Sequence, residues 1–257
     1  MSEVLRSELP VTDDAFLGDG LRMLQPKHGY RAGVDAVLLA ATVAGNGELR
    51  VADLGAGAGV VGLCVARRLA AARVTLVERE TELVDLARQN VMRNGLSDRA
   101  AVVSGDVTGK AELLRLSGVA DESFDAVLAN PPFHATGHGT GAGNALKAAS
   151  HAMDGDQLDS WVRCAARLTR PGGTFTMIHK ADATGDILAS FGQRFGGVKV
   201  KPVYARADEP AIRVLVQGIK GSRAPLVLQA PLLLHGEGQG FMPGVNAILR
   251  DGAALAM

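Results

Sequence analysis

Asn130-Pro131-Pro132-Phe133 combines residue types that can together handle a planar amine. A carboxamide oxygen and a prolyl carbonyl are both acceptors, and an NH2 group presents two hydrogens in one plane. Phe133 adds an aromatic face for the ring that carries such a group. The tetrapeptide follows Phe124 to Ala129 (FDAVLA), an apolar run that reads as a buried strand. Proline has no amide donor and a fixed φ, so the pair ends that strand in a stiff loop. Open α/β sheets place their chemistry at this carboxyl end of a strand. The pattern suits methyl transfer to an amino nitrogen, provided a methyl donor lies nearby. The plain structural alternative is that Asn130 only caps the strand.

A glycine-rich turn supplies a site for that donor. Leu49 to Leu54 (LRVADL) reads as a strand, Gly55-Ala56-Gly57-Ala58-Gly59 as a tight turn, and Val60 to Leu69 as a helix by its apolar spacing. About 20 residues on, the strand Arg73 to Val77 ends in Glu78, where an acid can bind vicinal ribose hydroxyls. Val60 stands where a dinucleotide fingerprint wants glycine or alanine, so that pattern fails. Asp53 would repel a pyrophosphate but suit the cationic amino-acid portion of a sulfonium donor. A further probable strand, Ala101 to Ser104, leads into Gly105-Asp106-Val107. Asp106 there can accept from an adenine amino group while Val107 packs on the ring; a turn or cap role is the alternative.

The chain has 257 residues, enough to bury a full core, and its 47% hydrophobic and 21% charged content indicates a folded globular protein. Leu21 to Leu39 is interrupted by Arg22, Lys27, Arg31 and Asp35, so no membrane span or signal peptide is expected. Cys64 and Cys164 lie in apolar helical patterns and read as core residues of a reducing, cytoplasmic protein. The six histidines have no metal-like spacing with cysteine, and no metal is expected. Net charge is zero, yet basic residues cluster: Lys27, His28 and Arg31 early, then Lys199, Lys201, Arg206, Arg213, Lys220 and Arg223. Such patches can hold phosphates or simply form a solvated face.

Three regions are expected. Residues 1–48 hold a strand-turn-strand with Gly18-Asp19-Gly20 as its turn, then a helix from Asp35, its N-cap, to Val43. Residues 49–224 alternate strands and helices: strands 49–54, 73–78, 100–104 and 124–129, helices 59–70, 80–94 and 109–117. Residues 134–153, long and rich in small residues, read as a substrate lid. Asp156 to Leu168 reads as an amphipathic helix with Trp161 in core packing. Pro171-Gly172-Gly173 reads as a turn into a strand 174–179, followed by a helix 187–195 and strands 198–204 and 212–219. Residues 225–257 read as an extension packed on the core. The alternation implies an α/β fold with a mostly parallel, covered sheet.

These motifs resemble the class I S-adenosylmethionine-dependent methyltransferases, and among them the bacterial tRNA1(Val) adenine-37 N6-methyltransferase family. Gln25-Pro26 with Gly29-Tyr30-Arg31-Ala32-Gly33-Val34-Asp35-Ala36-Val37-Leu38-Leu39 is the most distinctive block, and the likeness covers nearly the whole chain. The resemblance implies a Rossmann-like, mostly parallel seven-stranded sheet, ordered 3-2-1-4-5-7-6 with strand 7 antiparallel and helices on both faces. It implies S-adenosylmethionine as cofactor, held by Asp53, Gly55, Ala56, Gly57, Gly59, Glu78, Asp106, Val107 and Asn130, with Tyr30 and Arg31 near the donor or the substrate entry. Asn130, Pro131, Pro132 and Phe133 become the catalytic motif for adenine N6 in tRNA. Lys27, Arg31, Lys180, Arg206 and Arg213 are candidate RNA contacts. Adenine-directed members usually end the motif in Tyr; Phe133-His134 is similar to ribosomal-RNA guanine-N2 enzymes. Glutamine methylation of a protein, a small-molecule acceptor and a non-catalytic RNA-binding role stay open, as does monomer against homodimer.

Overall fold

Residues 10–29, 31–45, 47–132, 157–192 and 194–257 are described in the computed structural model. Tyr30, Phe133 and the segment read as a lid lie outside them. The chain opens with a hairpin of β1 (Val11–Phe16) and β2 (Leu21–Pro26), then α1 (Val34–Ala41). Next come β3 (Arg50–Leu54), α2 (Val60–Arg68), β4 (Arg73–Glu78), α3 (Thr81–Arg93), β5 (Ala100–Ser104), α4 (Ala111–Leu116) and β6 (Phe124–Ala129). A helix α5 covers residues 157–168 and runs directly into β7 (Thr169–Lys180). The remainder is α6 (Thr184–Phe191), β8 (Phe195–Tyr204), β9 (Ala211–Lys220), β10 (Val227–Leu228), β11 (Leu232–Leu233) and α7 (Pro243–Asp251).

The main sheet runs β5-β4-β3-β6-β7-β9-β8, with β9 antiparallel to β7 and β8 and the β3, β4, β5, β6 and β7 pairings parallel. That is the order and sense implied by the resemblance. The sheet is nine-stranded rather than seven-stranded, because β10 and β11 of the C-terminal region pair with the outer edge of β8. An unpaired edge is a template for association, and these short segments cover it.

Alternation along the strands splits the core in two. Val51, Ala126, Leu128 and Ile178 join a cluster with α1, α2, α3 and α7, whereas Ala52, Leu54, Val127, Ala129, Phe175 and Met177 join one with α4, α5 and α6. Helices thus cover both faces of the sheet. The C-terminal region belongs to this core: Leu234, Val245, Ile248 and Leu255 are buried in the first cluster. Arg68 fastens it, donating to the carbonyls of Gly252 (2.8 Å) and Ala40 (2.6 Å).

The hairpin is held by two side chains of α3. Asn90 bonds both the N–H and the C=O of Leu24, and Asn94 does the same for Arg22, at 2.8–2.9 Å. Residues four apart on a helix share a face, and alternate strand residues share an edge, so this pair replaces a missing strand for β2. Asn90 is fully buried and also donates to the Ala58 carbonyl, which ties the hairpin to the glycine turn.

Three local expectations change. Asp35 is not the N-cap of α1; Gly33 holds that position without a side-chain bond, and Asp35 pairs with Arg213 instead. Pro171-Gly172-Gly173 lies within β7 as a register irregularity between the Phe124↔Thr169 and Ala126↔Thr174 pairs. Gly172 has φ +77°, which absorbs the inserted residues. The helix expected over 187–195 ends at Phe191, and Phe195 starts β8. Phe175, Phe191 and Phe195 then pack as a trio with centroids 5.1–5.5 Å apart, so core packing decides where the chain turns.

Candidate active site

Strand register sets the site. Leu54 pairs with Val77 and with Ala129, and Glu78 pairs with Ser104, so the residues following β3, β4, β5 and β6 emerge along one carboxyl edge. Gly55, Gly57, Glu78, Asp106, Val107, Asn130 and Pro132 all line one cavity there, about 550 Å³ in volume. The glycine turn is shaped for it: Gly55, Gly57 and Gly59 have φ of +63°, +56° and +91°, a region that side chains disfavour. A Cβ on Gly57 would meet no protein atom within 4 Å, so the backbone lies open to a ligand.

Glu78 is 7% exposed and bonded almost to capacity. Its Oε2 accepts from the Gly57 N–H (2.8 Å), and its Oε1 from those of Arg79 (2.8 Å) and Glu80 (3.0 Å). A carboxylate has about four acceptor positions, so roughly one remains for a hydroxyl in the cavity. Placed just before α3, the negative charge also answers that helix's unbonded first-turn amides.

Asp106 accepts at Oδ1 from the Thr108 N–H (2.8 Å) and hydroxyl (2.7 Å), and its Oδ2 lies 4.0 Å from Arg79. Burial pushes its carboxyl up, but the Thr108 bonds, Arg79 and the Gly109 amide outweigh burial and hold it below the ordinary carboxylate range. It is therefore an ionised acceptor, suited to an adenine amine, as well as the turn residue of the alternative reading. Val107 is 7% exposed and packs with the second core cluster beside it.

Asp53 does something else. It is 1% exposed, lines neither cavity described here, and accepts from the Gly62 N–H at 2.9 Å. It satisfies a first-turn amide of α2, so the expected contact with a cationic ligand tail gives way to a capping role. Burial raises its carboxyl to about 7, against its ordinary 3.8, with the Gly62 bond opposing and Glu78 reinforcing the rise. Gly62 also explains the missing third glycine: a Cβ there would lie 2.2 Å from Leu76, so close helix-strand contact is made here and not at Val60. Gly59 is the N-cap of α2 and lines neither cavity.

Ala56 and Gly57 open onto a second cavity of about 570 Å³, bounded by Gln25, His28, Ala32 and the start of α3. The two cavities share Gly57, Glu80 and Leu83. Gln25 shapes this side: its amide donates to Asp14 and the Ala32 carbonyl and accepts from the Ala32 N–H, closing the loop between them.

The first cavity is also lined by residues not expected from the sequence: Arg79, Glu80, Leu83, Gly105 and Thr108 beside the two acids, and Gln157, Ser160 and Trp161 from the first turns of α5. Trp161, read as core, is only partly buried; it packs against the second cluster and faces the cavity at once. A partly polar first turn was the available signal. Pro131 is buried and Pro132 exposed beside Asn130.

The basic candidates line neither cavity and are in different states. Arg31 lines neither cavity; its guanidinium goes to both oxygens of Asp14 (2.8 and 2.9 Å), so its expected place at the donor is corrected. Arg213 pairs with Asp35 at 2.6 Å. Arg206 donates to the carbonyls of Gly236 and Gly238, pinning that loop. Lys27 and Lys180 have no side-chain partner among the described residues. Farther along, Lys199 and Lys220 bond within the fold, to the Met257 carbonyl and to Glu122 and the Thr169 carbonyl. Cys64 and Cys164 are free and buried, the first raised to about 12 by burial, which leaves it an inert thiol. Among the described residues no group of His, Cys, Asp or Glu is placed to hold a metal, and no helix is long and apolar enough to cross a membrane.

A parallel sheet with an antiparallel seventh strand, a glycine turn, two acids on successive strand ends and an amide-proline loop over one cavity define a class I S-adenosylmethionine-dependent methyltransferase. Residues 32–184 match the family model described as the methyltransferase small domain, and the chain belongs to that family. It is 25% identical to a tRNA1(Val) (adenine(37)-N6)-methyltransferase of Dickeya chrysanthemi, over 86% of this chain and 87% of that one. A protein of the same description from Pectobacterium carotovorum is 23% identical over 84% and 85%. Among solved structures, a predicted O-methyltransferase from Agrobacterium tumefaciens is 36% identical, covering 87% of this chain and 99% of its own, with a TM-score of 0.74.

Proposed function

We propose that the chain methylates the exocyclic N6 amine of adenine in tRNA, at a position like 37, in the cytoplasm. The observation that carries this reading is that Asn130 opens onto the same cavity as Glu78 and Asp106. Bound S-adenosylmethionine supplies an electrophilic methyl group on a cationic sulfur. Glu78 has acceptor capacity for a ribose hydroxyl and Asp106 for an adenine amine, which fits that cofactor.

Adenine N6 is a weak nucleophile because its lone pair is delocalised into the ring. The Asn130 Oδ1 and the Pro131 carbonyl accept its two hydrogens and turn the lone pair toward the reacting carbon. Positioning and electrostatics supply the acceleration, with no covalent intermediate on the protein. The nitrogen becomes acidic once alkylated, so its proton leaves without a strong base. Phe133 stacks on a base held out of its strand, the usual mode for single-stranded RNA targets. Lys27 and Lys180 engage phosphates.

The relatives' substrate supports the tRNA reading, and the amide-proline loop supports nitrogen over the oxygen acceptor named for the Agrobacterium protein. The test is incubation with labelled donor and separate tRNA, ribosomal RNA and protein fractions, followed by nucleoside analysis. Label as N6-methyladenosine in tRNA is expected. Label as N2-methylguanosine in ribosomal RNA, as methylglutamine, or in no macromolecule overturns the assignment.

A further inference from the structure

Trp161 is the chain's single tryptophan, and its place is unusual for α5. Leu158, Val162, Cys164, Ala165 and Leu168 are at most 6% exposed and anchor the helix in the second core cluster. That anchoring sets the rotation of the helix, and it turns the indole toward the cavity beside Asn130 and Pro132. The six-membered edge of the ring abuts the glycine turn: a Cβ on Gly55 would lie 2.3 Å from Cη2 and 2.9 Å from Cζ3. Gly55 thus lacks a side chain for two reasons, its φ of +63° and the space the indole occupies. A tryptophan needed only for packing would be enclosed by α5 and the sheet; this one forms part of the wall between the turn and the Asn130 loop.

We propose that Trp161 is a donor-contacting residue, whose ring forms the aromatic side of the S-adenosylmethionine site and sets part of its affinity. A purine can stack on such a ring, and a sulfonium is attracted to its face. The glycine turn and Glu78 bind through backbone and charge, so Trp161 supplies the π surface that the cavity's other described walls lack.

Because the chain has one tryptophan, its emission reports the contact directly. Titration of the wild-type protein with S-adenosylmethionine is expected to change that emission saturably, with the dissociation constant found by calorimetry. Trp161→Leu, which keeps an apolar filler but removes the π face, is expected to weaken donor binding about 3- to 30-fold, with Trp161→Phe restoring part of the loss. A parallel titration with S-adenosylhomocysteine locates the contact. Equal loss for both ligands assigns it to the adenosyl part, and loss confined to the cationic ligand assigns it to the sulfonium; either supports the proposal. Unmoved wild-type emission at calorimetric saturation, or wild-type affinity for both ligands in Trp161→Leu, overturns it. Should the leucine variant not fold, the wild-type titration decides alone. No RNA is present in these measurements, so their outcome is independent of the acceptor assignment above.

Discussion

The donor end of the site and the proposed acceptor end are built from different bonds. At the donor end, Glu78 and Asp106 are held by backbone amides of Gly57, Arg79, Glu80 and Thr108. Where we propose that the acceptor approaches, Arg31 and Arg213 are held by Asp14 and Asp35, partners 17 and 178 residues away. An amide cannot rotate away or be displaced by solvent ions, whereas a part-exposed ion pair contributes little and can exchange its carboxylate for a phosphate. The donor end is therefore preformed, and the acceptor end is able to trade partners. That division fits the proposed pairing of one small, closely held cofactor with a large anionic substrate bound reversibly.

The widest separation of the two ends is expected from Asn130→Ala. Turnover should fall about 100- to 1,000-fold, as when an oriented donor or acceptor is removed from a reacting centre. Affinity for tRNA, measured by filter binding, should stay within about twofold, because phosphate contacts carry it. Near-normal turnover would remove Asn130 from the chemistry. Glu78→Gln keeps the shape but replaces one acceptor oxygen by an NH2 that faces backbone N–H groups. Donor affinity measured by calorimetry is expected to drop about 10- to 100-fold, the scale of a lost charged hydrogen bond, with little salt dependence.

Smaller effects test the acceptor end. Lys180→Ala should leave the melting temperature unchanged, weaken tRNA binding and reduce the salt slope of log K by about 1. Arg213→Ala should weaken tRNA binding too but also lower stability. A double-mutant cycle with Asp35→Asn should give about 0.5–1.5 kcal/mol, since both side chains are about a quarter exposed. Equal behaviour of the two basic residues would erase the distinction between a paired and an unpaired cation.

The smallest effect is one of pH. Asp53 is raised from 3.8 to about 7 by burial, so the folded state holds a proton that the unfolded state releases. Across the window between those values the unfolded chain binds fewer protons, and this group makes stability fall as pH rises. Urea unfolding of Asp53→Asn, which keeps an oxygen for the Gly62 amide, should show the variant gaining on wild type from about pH 4 to pH 7. A constant difference across that range would mean that Asp53 is ionised throughout.

At the donor end, the glycine turn and the two acids were legible because their bonds are local. Gly55, Gly57 and Gly59 take up positive φ at the turn, and an acid at or just past a strand end meets the amides of the next turn. The end of β6 was legible for the same reason, since Pro131 and Pro132 stop the strand just after Asn130 by their own covalent geometry. Asp53 misled because a carboxylate before a glycine turn looks the same whether it faces ligand or helix. Only the packing of α2 on β4 through Gly62 turns it inward. Asp35 misled likewise: a helix-starting Asp usually caps, and nothing near it announces an arginine in β9.

Sequence alone determined the βα alternation, the turn, the acids at the strand ends and the amide-proline loop, because each depends on backbone preferences spanning a few residues. Tertiary structure alone decided which cations are spoken for, that Asn90 and Asn94 stand in for a strand, that the tail covers the edge of β8, and that Trp161 faces a cavity. Those outcomes depend on partners far apart in the chain, and they exist only once the two core layers have set how each helix is turned against the sheet.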